Sequence, residues 1–127
     1  MATVAYVVKS GYAIMANRLN GAGTRPEFVG WGTGASAATV SDTNIQTPDG
    51  ARVTGTSSVV TTTETNDTYQ LVGVITCAGV AKAITEVGVF DAVSSGNMFI
   101  HGTFSAVNVD VGESIAFTIT TKMVQGA

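Results

Sequence analysis

The chain is poor in the residues that most directly announce chemistry. It has one cysteine (Cys77), one histidine (His101), two prolines and 12% charged residues across 127 positions. A single cysteine excludes an intramolecular disulfide framework and a cysteine-rich zinc site. Charge at about half the usual share, with six Lys and Arg scattered from Lys9 to Lys122, leaves no cationic patch for a phosphate backbone. Nucleic acid is therefore not an expected partner. No apolar run approaches the roughly 18 residues of a membrane span, so no membrane partner is expected. The start, MATVAYVVKS, lacks the early basic residues of an export signal, which predicts synthesis in a cytoplasm.

What is abundant is different in kind. Hydrophobic residues make up 45%, glycines number 15, and Thr, Ser and Val recur throughout. Disorder would need lower hydrophobicity or higher net charge than −3. The composition favours strands with tight turns, and the length suits one domain with a sizeable core.

Periodicity gives the outline. Residues 1–10 contain a short extended segment, ATVAYVV. Residues 11–21 predict a short helix, with Tyr12, Met15, Ala16 and Leu19 on one face, Ser10 as a start cap, and Gly21 or Gly23 at its end. Residues 27–124 predict the β-structure. EFVGW is a strand, and GTGASAATVSDTNIQTPDG is a long connection with turn signals at Pro48, Asp49 and Gly50. That connection has room for one helical turn from Ser41 to Ile45. ARVTGTSSVVTTTE is a strand bent at Gly55. TYQLVGVITCA puts Tyr69, Leu71, Ile75 and Cys77 on one face. AITEVGVF and NMFIHGTF form a hairpin around DAVSSG, with Val87, Val89, Met98, Ile100 and Phe104 as core. ESIAFTITTKMV alternates, with Ile115, Phe117, Ile119 and Met123 on one side. Together these predict an all-β fold: an antiparallel β-sandwich or jelly-roll-like single domain with one short helix.

The candidate sites are few. Glu86, Asp91 and His101 share the hairpin and could do acid–base work if held in a cleft. However, Asp91 suits a turn, Glu86 and His101 suit cross-strand neighbours, and no nucleophile accompanies them. Their expected role is polar punctuation of the strands. GWGTGAS, Gly30 to Ser36, has the wrong spacing for a phosphate loop and reads as a glycine-rich turn around a packed Trp31. Cys77 reads as a small core hydrophobe. Asp42, Asp49, Asp67 and Asp110 read as turn residues, without the spacing of a calcium loop. No catalytic residue, metal ligand or cofactor is expected.

The series NRLNGAGTRPEFVGWGTGA, ARVTGT, NDTYQLVG and ITEVGVFDA with SSGNMFIHGTFSAVNV resembles small virion proteins of tailed bacteriophages, over about Gly11 to Thr121. The ITEVGVFD piece is also similar to segments of phage tail-collar and tail-fibre proteins. The resemblance implies a non-enzymatic virion part. Its first implied role is a capsid decoration, or cement, protein that binds the outer face of the major capsid protein lattice as a homotrimer. A free-standing chain of this size fits that role better than a tail or fibre component, which is the alternative. A third class, a small carbohydrate-binding module, would want clustered exposed aromatics, and Tyr6, Tyr12, Trp31 and Tyr69 are dispersed. Partner contact is expected on the N-terminal side, at Val4, Tyr6, Val7 and Tyr12, with residues 1–10 as a docking arm that adds a strand to a neighbour.

Overall fold

The computed structural model describes residues 3–126; Ala2, counted above in the extended segment, lies outside them. The element order is β1 (Val4–Val7), α1 (Lys9–Leu19), β2 (Phe28–Gly32), β3 (Pro48–Thr54), β4 (Thr56–Val60), β5 (Thr68–Thr76), β6 (Lys82–Phe90), β7 (Met98–Val109) and β8 (Ser114–Lys122). Two antiparallel sheets result, ordered β1-β7-β6-β2-β3 and β4-β5-β8. Among the described residues no helix is long and apolar enough to cross a membrane.

The inner faces of the two sheets supply the main core. Val29, Trp31, Val87, Val89, Phe99 and Ile100 come from one sheet, and Leu71 and Ile75 from the other. The alternation read from the sequence places Val87, Val89, Ile100, Leu71 and Ile75 correctly, because successive strand side chains point to opposite faces; a register shift between Val89 and Phe90 breaks the alternation on β7, bringing Phe99 into this core and Met98 into a second one. Phe104 and the β8 row Ile115, Phe117 and Ile119 are only half-buried, and Met123 is exposed. One flank of the sandwich is closed by chain continuity. The strand ARVTGTSSVV does bend at Gly55, passing from the edge of one sheet to the edge of the other, and the Gly55 N–H donates to the Glu27 carbonyl at 2.7 Å. It ends at Val60, short of TTTE.

Four local expectations need correction. Pro48, Asp49 and Gly50 open strand β3 rather than a turn. The register of β3 against β2 shifts between Val29 and Trp31, and Gly50, at φ +72°, supplies the backbone that such a bulge requires. Proline is tolerated at the first residue of an edge strand. Residues Ser41 to Ile45 form no helical turn; Val40 and Ser41 make a tight turn closed by Thr39 and Asp42. The helix exists, but its buried residues are Gly11 and Ile14, while Tyr12 and Leu19 are exposed. The helix lies so close to β7 that a Cβ on Gly11 would sit 2.6 Å from the Phe99 carbonyl oxygen, so the narrow face turns inward. Ser10 does not cap α1; its hydroxyl donates to the Met98 carbonyl at 2.6 Å and ties the helix to β7. The end is as expected. Gly21, at φ +74°, follows Asn20, and Ala22 N–H bonds back to the Asn17 carbonyl.

Candidate functional site

The outer face of the five-stranded sheet is not open to water. The connection 33–47 folds back across it. Gly30 of β2 and Gly88 of β6 stand opposite one another, and the Ile45 side chain of the connection drops into the space they leave. Ile45, Val8, Phe90 and Met98 make a second, smaller core there, flanked by Phe28. Burying an isoleucine side chain of this kind stabilises by about 1.5–3 kcal/mol.

Beside this core lie the polar residues of the hairpin. Glu86 and His101 are both fully buried, which overturns their reading as water-facing punctuation. His101 stands opposite Gly88 and Glu86 opposite Thr103, so the two are diagonal neighbours on adjacent strands rather than a direct cross-strand pair. His101 Nε2 lies 2.8 Å from Glu86 Oε1, and Nδ1 lies 2.6 Å from Asp42 Oδ2. The imidazole is thus held between two carboxylates, one at each ring nitrogen.

Glu86 is the hub. Its Oε2 accepts the backbone N–H of Gly34 at 2.6 Å and of Thr47 at 3.0 Å, and its Oε1 accepts Gln46 N–H at 2.9 Å besides His101. The glycine-rich stretch therefore supplies one N–H, that of Gly34, to an anion cradle completed by Gln46 and Thr47, and the anion is the chain's own carboxylate. A Cβ on Gly34 would fall 2.3 Å from Glu86 Oε2, so only glycine permits the approach. The GWGTGAS reading was right about Trp31, which is buried, and missed the carboxylate; its first residues belong to β2 rather than to a turn. Asp42 braces the middle of the connection, with its Oδ2 accepting Thr39 N–H and its Oδ1 the Thr39 hydroxyl, both at 2.8 Å.

Electrostatics follow the geometry. Burial pushes the Glu86 carboxyl upward, but the N–H groups of Thr47 and Gln46, the His101 ring and the Gly34 N–H together outweigh it and hold Glu86 below the ordinary glutamate value. The same opposition acts on Asp42. Desolvation raises it, and Thr39 and His101 more than compensate, leaving it below the ordinary aspartate value. Both acids are anions at neutral pH.

The chemistry available to this cluster is narrow. Each ring nitrogen of His101 already faces a carboxylate, so none is turned toward an incoming group. The two acids lie on opposite sides of the ring and do not converge on one point. Among the described residues no group of three or more His, Cys, Asp and Glu is arranged to hold a metal ion. The arrangement fastens residues 33–47 to the sheet at both ends.

The other candidates sit apart from it. Asp91 opens the hairpin loop, accepting Asn97 N–H at 2.7 Å. Arg52 reaches across from β3, stacks on Phe90 and donates to the carbonyls of Ala92 and Ser95, so the loop is tied to the sheet edge. Cys77 is buried and its thiol donates to the Val80 carbonyl at 3.2 Å. Asp67 organises a turn by accepting the N–H groups of Glu64, Thr62 and Thr63 and the Thr68 hydroxyl, which hold it far below the usual carboxylate range. Asp110 also lies at a turn, its carbonyl accepting Glu113 N–H at 3.0 Å. Asp49 lies in a strand instead and pairs with Lys82. Of the N-terminal residues, Val4, Tyr6 and Val7 form an edge strand of the chain's own sheet, paired with β7 from Ile100 to Thr103. They do not project as an arm. Tyr12 is exposed on α1.

Among the described residues the flank opposite Gly55 is open. Between the edge strands β1 and β8 runs a groove of about 630 Å³ that reaches the interior, lined by Tyr6, Val7, Ile100, Phe104, Phe117 and Ile119 among others; its lining carries no charged side chain. Comparisons with family models, with curated proteins and with solved structures gave no match.

Proposed function

We propose that this chain is a non-enzymatic structural protein of a phage virion, a decoration protein that docks on the outer surface of the major capsid lattice. The observation that supports a docking role is the uncharged apolar groove between β1 and β8, reaching a sandwich interior that its own chain leaves partly uncovered. Apolar and hydroxyl-rich surfaces pack against a partner without the cost of desolvating ions. The buried charge cluster fits the same reading, because it stiffens the scaffold and presents no free acid, base or nucleophile. The virion assignment rests on the resemblance carried by the WGTG and ITEVGVFD segments.

The mechanism is a clamp. Each copy contributes modest contacts, and copies spanning several shell subunits gain by avidity, on the order of 10²–10⁴ without any stronger single contact. Binding the mature shell in preference to its subunits stabilises that shell by mass action. A tail location is the second reading, favoured by the similarity of ITEVGVFD to tail-collar and fibre segments. Copy number per particle, from quantitative mass spectrometry of purified virions, separates the two. A number that scales with the capsid subunits supports decoration, a number set by tail symmetry supports the tail, and absence from the particle overturns both.

A further inference from the structure

Four strands border the two sheets: β1 and β3 on one, β4 and β8 on the other. Sheet edges invite pairing with other chains, and soluble proteins guard them with shortness, proline, charge or bulges. Three of the four are guarded. β1 has four residues and β4 has five. β3 carries Pro48, Asp49 and Arg52 and a register shift. β8 has none of these devices. It runs nine residues, pairs with β5 from Ser114 to Lys122 without a shift, and bears no charge before its last residue. Its inward row, Ile115, Phe117 and Ile119, is half-buried and forms one wall of the open groove.

We infer that a second copy of this chain pairs along this edge, β8 against β8, antiparallel about a two-fold axis through Thr118. The two three-stranded sheets then become one of six strands. The register follows from the sequence. Thr118 faces the partner's Thr118, Phe117 faces the partner's Ile119, and Ala116 faces the partner's Thr120. This register keeps inward residues inward, and it makes an aromatic–β-branched pair twice and a Thr–Thr pair once, all favourable across strands. At each end Lys122 arrives opposite the partner's Ser114, one residue from the partner's Glu113, so opposite rather than like charges end the seam; within one chain Lys122 Nζ rests on the Thr63 hydroxyl and Glu113 Oε1 accepts the Asp110 N–H. The outward residues between, Ser114, Ala116, Thr118 and Thr120, are exposed and uncharged, so two chains of net charge −3 meet without opposing like charges along this edge. An isologous contact of this kind closes at two copies, so it replaces the three-fold assembly that the resemblance implies. It does not depend on the virion reading.

The test is sedimentation velocity across a dilution series, on wild type, Thr118→Lys and Thr118→Asp. Wild type sediments as a dimer. Each variant removes the Thr–Thr pair, places like charges directly opposite at the axis and weakens dimerisation by about three- to tenfold. An equimolar mixture of the two restores the dimer, because Lys then faces Asp. Thr118 is exposed, and thermal melts by circular dichroism confirm that the variants fold. Amide exchange on the wild-type chain gives an independent readout: β8 amides lose protection on dilution while β6 amides do not. A monomeric wild type, a trimer indifferent to Thr118→Lys, a mixture that stays monomeric, or β8 exchange independent of concentration overturns the inference.

Discussion

Replacing Glu86 with Gln isolates the role of the buried cluster, because the side chain keeps its shape and loses its charge and one acceptor. The carboxylate accepts four hydrogen bonds, two on each oxygen: Gly34 and Thr47 N–H on Oε2, Gln46 N–H and His101 on Oε1. A glutamine has one carbonyl oxygen and one amino group. Turned one way, the Gly34 and Thr47 N–H groups face an N–H₂ that cannot accept; turned the other way, the Gln46 N–H does. Hydrogen bonds to a charged group contribute about 1.5–3 kcal/mol each. Losing one or two of them puts the cost at about 1.5–6 kcal/mol, against a total stability of about 5–15 kcal/mol for a domain of this kind. Urea unfolding at neutral pH measures it as a lowered midpoint with an unchanged slope. Glu64→Gln, at an exposed turn position, is the control and shifts stability by no more than about 0.5 kcal/mol. Because Glu86 fastens the connection, the amides of Gly34, Gln46 and Thr47 exchange faster in Glu86→Gln than in wild type. A loss below about 1 kcal/mol, or unchanged exchange at those three amides, would refute the view that this carboxylate holds the connection in place.

Acid sensitivity follows from the same groups. Glu86 and Asp42 are held below their ordinary values of 4.5 and 3.8, so their contribution is complete above those values and is lost as pH falls through the lowered folded ones. Unfolding free energy measured by urea titration should therefore decline from about pH 5 downward, with a shallower decline in Glu86→Gln; identical slopes would remove Glu86 from the account. On the helix, Gly11→Ala should cost about 1–3 kcal/mol by forcing a methyl group against the Phe99 carbonyl, while Leu19→Ala at an exposed position should change little. Thermal melts of the pair decide whether the narrow face of α1 is the one that packs.

Much of the strand layout was legible in one dimension because period-two alternation is a local property. Val87 and Val89, and Leu71 and Ile75, announce their inward faces without knowledge of any neighbour. Turn residues such as Asp91 and Gly96 act within a few positions of themselves, so the hairpin around them could be read directly. The helix was legible as a helix but not in its orientation. Which face packs depends on how closely β7 approaches, and that distance is set by Gly11 rather than by the largest apolar side chains.

The site was not legible for a related reason. By itself, the sequence determined an antiparallel all-β chain with one short helix, little charge, and few groups able to do chemistry. It could not say that the outer face of one sheet is covered, because the cover is a segment about 40 to 55 residues earlier, rich in small residues and without periodicity. Only the folded chain brings Gly34, Gln46 and Thr47 onto Glu86 and sets Asp42 against His101. Alternation specifies which residues share a face of a strand; whether that face meets water, a loop or another molecule depends on contacts distant in sequence. The same holds at β8, whose half-buried row was read correctly as one face, while the open groove beside it emerges only when both sheets are in place.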